Sequence, residues 1–205
     1  MRRSVPLLIP IYVGAALFGV NASAHSSTPV AAAADVTTVS RPARPRWERT
    51  TAAPIRVFIV TSDKAEGWRA DLIDAAWAGF KRWSTSGVPV RFVRVTSASS
   101  ADVVVEWVDR LPGSTIGKTW RQDVGSEISA AKITLALYDH RGRPLTADMQ
   151  RGAVLHEVGH LLGLEHVQER DSIMYPQVWV TDIAAGDRTA LAALYAPRTR
   201  GHAAD

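Results

Sequence analysis

Between Pro54 and Pro197 the apolar positions repeat with two different periods, and each period predicts an element. Ile55 to Val60 alternates apolar and polar residues and is rich in β-branched side chains, which predicts a strand. Trp68, Leu72, Ala76, Phe80 and Trp83 are three or four positions apart, the spacing of an apolar stripe on one helix face. Val88 to Val95, Ala101 to Val108 and Lys132 to Leu137 read as further strands. Ile116 to Trp120, after the Pro112-Gly113 turn signal, reads as a short edge strand. Thr146 is placed to cap a helix that continues through Gln150 and Val154 into the histidine-bearing stretch from His156, and Asp187 to Tyr195 predicts a last helix. About 140 residues are enough for one domain around one core. The fold class expected is α+β.

The flanks differ in character. Met1-Arg2-Arg3 precedes an apolar stretch reaching Val20, and Ala22-Ser23-Ala24 fits a small-residue cleavage site, so residues 1–24 read as a secretory signal peptide. The apolar run is short for a membrane span and is interrupted by Pro6 and Pro10, although an uncleaved anchor is the alternative. The location implied is secreted, extracellular or periplasmic, with no stable membrane anchor after cleavage. Residues 25–53 are Ala, Thr, Ser, Pro and Arg with few large apolar side chains, too few to offset ordering entropy. That stretch is expected to be a flexible leader, either a linker or a short pro-segment; residues 198–205 form a tail. The chain has no cysteine, so its stability rests on the core and on any metal it binds. Net charge is +4 and becomes +2 once Arg2 and Arg3 leave with the signal peptide. The arginines are scattered rather than set in a stripe with aromatics, and no nucleic-acid partner is inferred.

The chemistry is concentrated in His156-Glu157-Val158-Gly159-His160-Leu161-Leu162-Gly163-Leu164-Glu165-His166. Histidines four apart on a helix lie about 40° apart around its axis and about 6 Å along it, so both can reach one ion. A continuous helix would carry His166 away to another face. Gly163 can take positive φ, end the helix and turn the chain back. Three neutral imidazoles around Zn2+ with a fourth position open for water is a catalytic arrangement. Glu157, next to the first ligand but pointing differently, is the expected general acid and base. The bland alternative is a buried helix whose histidines are satisfied by hydrogen bonds alone.

Farther on, Ser172-Ile173-Met174-Tyr175-Pro176 supplies a methionine turn. Three spaced histidines, the glycine and this turn resemble the metzincins, and within them the matrixins, especially compact bacterial members. The resemblance runs from about Pro54 to Pro197 and is most specific from Leu155 to Pro176. It implies a zincin-like catalytic domain, a twisted mixed sheet with two long helices and a C-terminal helix, in which His156, His160 and His166 are zinc ligands, Glu157 is the catalytic residue and Met174 lies beneath the metal. It implies that Pro176, Gln177 and Val178 wall a substrate pocket and that the Ile116-Gly117 strand lines the cleft beside an extended peptide. Asp187 falls where matrixins place an aspartate supporting the methionine turn, or it is a helix cap. Tyr175 reads as packing. The absence of cysteine removes any cysteine-switch latency, and His140 alone, in a turn-rich loop, provides no second histidine-built zinc site. Asp123, Gly125 and Glu127 offer oxygens that make Ca2+ a second candidate cofactor.

The function expected is a monomeric, secreted zinc-dependent endopeptidase acting on peptides or proteins. The alternatives are an inactive binding module of the same fold, or a zinc hydrolase directed at non-protein material such as cell-wall peptide.

Overall fold

The computed structural model describes residues 44–48, 53–61, 65–87, 89–177 and 180–197. The expected signal peptide and C-terminal tail lie outside the described residues. In chain order the main elements are β1 (Ile55–Ile59), α1 (Asp71–Ser84), β2 (Phe92–Arg94), β3 (Val103–Val108), β4 (Gly117–Val124), β5 (Glu127–Ala136), α2 (Ala147–Leu161) and α3 (Ala185–Leu194). The strands form one sheet in the order β2-β1-β3-β5-β4. Every pairing is parallel except β4 with β5, so the α+β class with a mixed sheet is as expected.

Alternation determines which face is covered. Ile55, Val57 and Ile59 on β1 and Val103, Val105 and Trp107 on β3 all point into the core. Ile133 and Leu135 on β5 extend that face. The stripe on α1 is Leu72, Ala76, Phe80 and Trp83, all buried. α1 packs on α2, and α2 packs on β4 and β5. Trp83 Nε1 donates to the Leu155 carbonyl at 2.8 Å and fixes the two helices in register.

Several boundaries differ from the sequence pattern. Trp68 lies before α1, in the turn containing Gly67, rather than on the helix. Strand pairing in the 88–95 stretch is confined to Phe92–Arg94, which lie opposite Ile55 to Val57. β4 and β5 are longer than expected and join as a hairpin through Gly125 and Ser126. That hairpin uses the three proposed calcium residues for another purpose: Val124 pairs with Glu127, and Asp123 pairs with Ile128 while its carboxylate lies 3.6 Å from Arg121. They do not converge, and calcium is not supported.

The expected start at Pro54 also differs from where packing begins. Arg46 N–H donates to the Ser126 carbonyl at 3.2 Å, and Ile128 N–H donates to the Arg46 carbonyl at 2.9 Å. Trp47 is only 2% exposed, and its indole N–H donates to the Leu161 carbonyl at 2.9 Å. The Arg46 guanidinium reaches the Leu194 and Ala196 carbonyls at 2.8 and 2.7 Å. One aromatic and one arginine therefore join the hairpin, the end of α2 and the end of α3.

Trp47→Ala is expected to destabilise the chain by about 3–5 kcal/mol in chemical denaturation, through cavity formation and loss of the carbonyl partner. Trp120→Ala, at a side chain 56% exposed, is expected to change stability by no more than about 0.5 kcal/mol.

Candidate metal centre

The geometry of the centre starts from the way α2 begins and ends. Thr146 caps its first turn, accepting from the Met149 N–H at 3.3 Å. At the far end Gly163 takes φ +100°, its N–H donates to His160 O at 3.0 Å, and Leu164 N–H donates to Gly159 O at 3.0 Å. This pair of bonds is a Schellman closure, which satisfies two end carbonyls and reverses the chain. A side chain at 163 is excluded twice, by the φ value and by the Pro45 carbonyl lying 2.5 Å from a Cβ built there.

The reversal brings His166 back to the helix. His156 and His160 Nε2 are 2.9 Å apart, and His166 Nε2 is 3.2 Å from each. Tetrahedral zinc with bonds of about 2.0–2.1 Å spaces its ligand nitrogens roughly 3.3 Å apart. The histidine Nδ1 atoms settle the proton assignment. His156 Nδ1–H donates to Ile173 O at 2.6 Å, and His160 Nδ1–H donates to Leu164 O at 2.8 Å. With Nδ1 so engaged, Nε2 is the nitrogen each ring turns to the others, and burial favours the neutral ring whose lone pair there suits a cation. Burial lowers the His156 pKa to about 4, and it also lowers those of His160 and His166, with Glu165 opposing in the last case. Among the described residues this is the only group of three or more His, Cys, Asp or Glu ligand atoms close enough to share an ion.

The support for these rings is continuous. Ile173, which accepts from His156, donates its own N–H to Asp187 Oδ2 at 3.0 Å. Asp187 also accepts from the Ser172 hydroxyl, and from Ala184 N–H at 2.8 Å at the start of α3. It therefore both caps α3 and holds the methionine turn. Met174 is buried against α2; a Cβ on Gly159 would overlap its Sδ, so that glycine admits the thioether.

Glu157 is fully buried. Its Oε2 accepts from the Thr119 hydroxyl at 2.7 Å, and Oε1 has no partner in the described protein. Burial raises its pKa to about 8, against the lowering effect of the Thr119 bond. Gly117 leaves the space beside it: a Cβ there would lie 2.6 Å from Oε1. Of the other expected residues, Ile116 is a core side chain, 1% exposed. Pro176 and Gln177 are half-buried just after the turn, and Val178 lies outside the described residues. Tyr175 is half-buried and His140 exposed. Sequence reasoning did not single out Thr119 or Arg121. Arg121 Nη1 donates to His160 O at 2.8 Å, and its Nη2 lies 3.7 Å from Glu165, the neighbour of His166. The signal available was the two-residue period that puts Gly117, Thr119 and Arg121 on one face of β4.

A mixed sheet with one antiparallel edge, a helix bearing two of three converging histidines and a methionine turn bonded to one of them make up the fold of a metzincin catalytic domain. The matrixin family model (peptidase M10) matches residues 46–196, and the chain belongs to that family of zinc metalloproteases. Among curated relatives, the metalloendoproteinase 1-MMP of Arabidopsis thaliana is 25% identical over 172 residues, 77% of this chain and 46% of its own length. A probable matrix metalloproteinase, 095L, of Invertebrate iridescent virus 3 is 31% identical over 132 residues, 57% of this chain and 35% of its own. Metalloendoproteinase 1 of Glycine max is 27% identical over 146 residues, 65% of this chain and 46% of its own. The chain thus spans less than half the length of these relatives.

Replacing Asp187 with Asn is expected to weaken zinc binding by about 10- to 100-fold, because the Ile173 carbonyl that orients His156 loses its support. Competition against a chromophoric chelator measures it.

Proposed function

We propose that the chain is a secreted, monomeric zinc endopeptidase that hydrolyses bonds within extended peptide or protein substrates. The observation that carries this reading is the pairing of three mutually close Nε2 atoms with a buried carboxylate that keeps one oxygen unpartnered. His156, His160 and His166 would hold the zinc. Zinc bound there supplies Lewis acidity toward a substrate carbonyl and makes a water easier to deprotonate.

The chain's own groups do the rest. Glu157 Oε1 accepts a proton from the attacking water and later gives it to the nitrogen of the departing amine. Burial raises its pKa, and a cation held by the three histidines would oppose that rise and favour the carboxylate that takes the proton. β4 is the sheet edge, bonded only to β5, and an extended substrate can add to its free side through backbone hydrogen bonds. Pro176, Gln177 and Val178 are the proposed pocket wall, with Gly117 beside Glu157 on the cleft side. Secretion rests on the sequence of residues 1–24; among the described residues no helix is long and apolar enough to cross a membrane.

The test is mass-spectrometric mapping of cuts in a peptide library by the zinc-loaded chain lacking residues 1–24. Internal cuts that stop with a chelator and return with zinc are expected; a zinc-loaded chain that cuts nothing refutes the reading. Glu157→Gln should keep one zinc per chain and lose about 10²- to 10⁴-fold in kcat. His160→Ala should lose both zinc and cleavage. Undiminished turnover in Glu157→Gln would remove that residue from the mechanism.

A further inference from the structure

The carboxylate of Glu157 is held from outside its own helix. Gly117 and Thr119 stand two apart on β4, both buried, facing α2. Gly117 contributes by lacking a side chain where Oε1 and Cγ of Glu157 pass, 2.6 and 2.7 Å from the Cβ position. Thr119 contributes a donor. Its hydroxyl lies 2.7 Å from Glu157 Oε2 and 3.0 Å from the Glu157 backbone carbonyl. One hydroxyl has one hydrogen to give, and Oε2 is the nearer of the two acceptors.

We propose that Thr119 is a positioning residue of the peptidase reaction, fixing which oxygen of Glu157 takes the proton. The proposal rests on the reading of Glu157 as the base. With Oε2 engaged, Oε1 is the oxygen left to react. A water O–H breaks and its proton passes to Oε1 as the water oxygen bonds to the substrate carbonyl carbon. The C–N bond then breaks, the proton leaves Oε1 for the amine nitrogen, and the carboxylate is restored. The Thr119 hydrogen stays on Oγ1 throughout. The terminal torsion of a glutamate is soft and roughly two-fold, so without this bond the plane of the carboxylate is not set.

Three variants distinguish positioning from simple packing. Thr119→Val keeps the shape and removes the donor, Thr119→Ser keeps the donor, and Thr119→Ala replaces the valine variant if that one does not fold. In the zinc-loaded enzyme the valine variant is expected to lose about 10- to 100-fold in kcat, the worth of a hydrogen bond to a charged group, with KM changed by less than about twofold. The serine variant should recover most of the rate. One zinc per chain is expected in all of them. A second readout needs neither metal nor turnover. The infrared carboxyl band of Glu157, identified by its loss in Glu157→Gln, should shift in the valine variant and return in the serine variant, in metal-free protein as well. An unchanged kcat in Thr119→Val, an unmoved band, or a serine variant as slow as the valine one overturns the proposal. A parent chain that cleaves no peptide overturns the peptidase reading instead, and the infrared comparison still decides whether Thr119 holds Oε2.

Discussion

An α-helix ends with carbonyls that have no partner within it, and α2 ends in the middle of the protein where water cannot reach them. Each one is met by a different part of the chain. Gly159 O accepts from Leu164 N–H, and His160 O accepts from Gly163 N–H and from Arg121 on the edge strand. Leu161 O accepts from the Trp47 indole, and Leu162 O accepts from the Tyr195 hydroxyl at the end of α3. The N-terminal segment, the edge strand, the ligand loop and the last helix are thereby tied to one turn of backbone. His160 lies on that turn, and His166 is three residues past Gly163. The metal geometry is thus inherited from the way a helix end is satisfied.

Electrostatics pull the other way. Burying three imidazoles and a carboxylate favours their neutral forms, and the directions of all four pKa shifts say so. For the histidines that suits ligand duty, since a protonated imidazole cannot coordinate. Without a cation, though, the lone pairs crowd one another. The backbone carbonyls of Ile173 and Leu164 hold two of the rings in this unfavourable proximity. Met174, Leu155, Leu161 and Leu162, in and after the same helix, are all essentially inaccessible. Metal affinity and fold stability are therefore one linked quantity here.

The strands, both long helices and the histidine cluster were legible because each is carried by a repeating period or a fixed spacing. Asp187 was legible as a cap or as a turn support, and its two carboxylate oxygens serve both. What was not legible depended on single residues. Trp47 sits in a stretch whose composition argues for disorder, and averaging over that stretch hides one aromatic with 2% exposure. Thr119 looks like any β-branched residue suited to a strand, and only the register of β4 against α2 turns its hydroxyl to a carboxylate. The calcium expectation failed for a related reason. Asp, Gly and Glu at close spacing are ligand residues in a loop, but across a two-residue hairpin they are ordinary turn and strand-end residues.

The anchoring of Arg46 and Trp47 moves the start of the folded unit ahead of its first strand. Trimming that removed everything ahead of Pro54 would also strip the donors from the Leu161, Leu194 and Ala196 carbonyls. An N-terminal boundary that keeps these bonds therefore lies upstream of Arg46. Residues 44–48 thus act as a short plug between the ends of α2 and α3, although they lie ahead of the first strand.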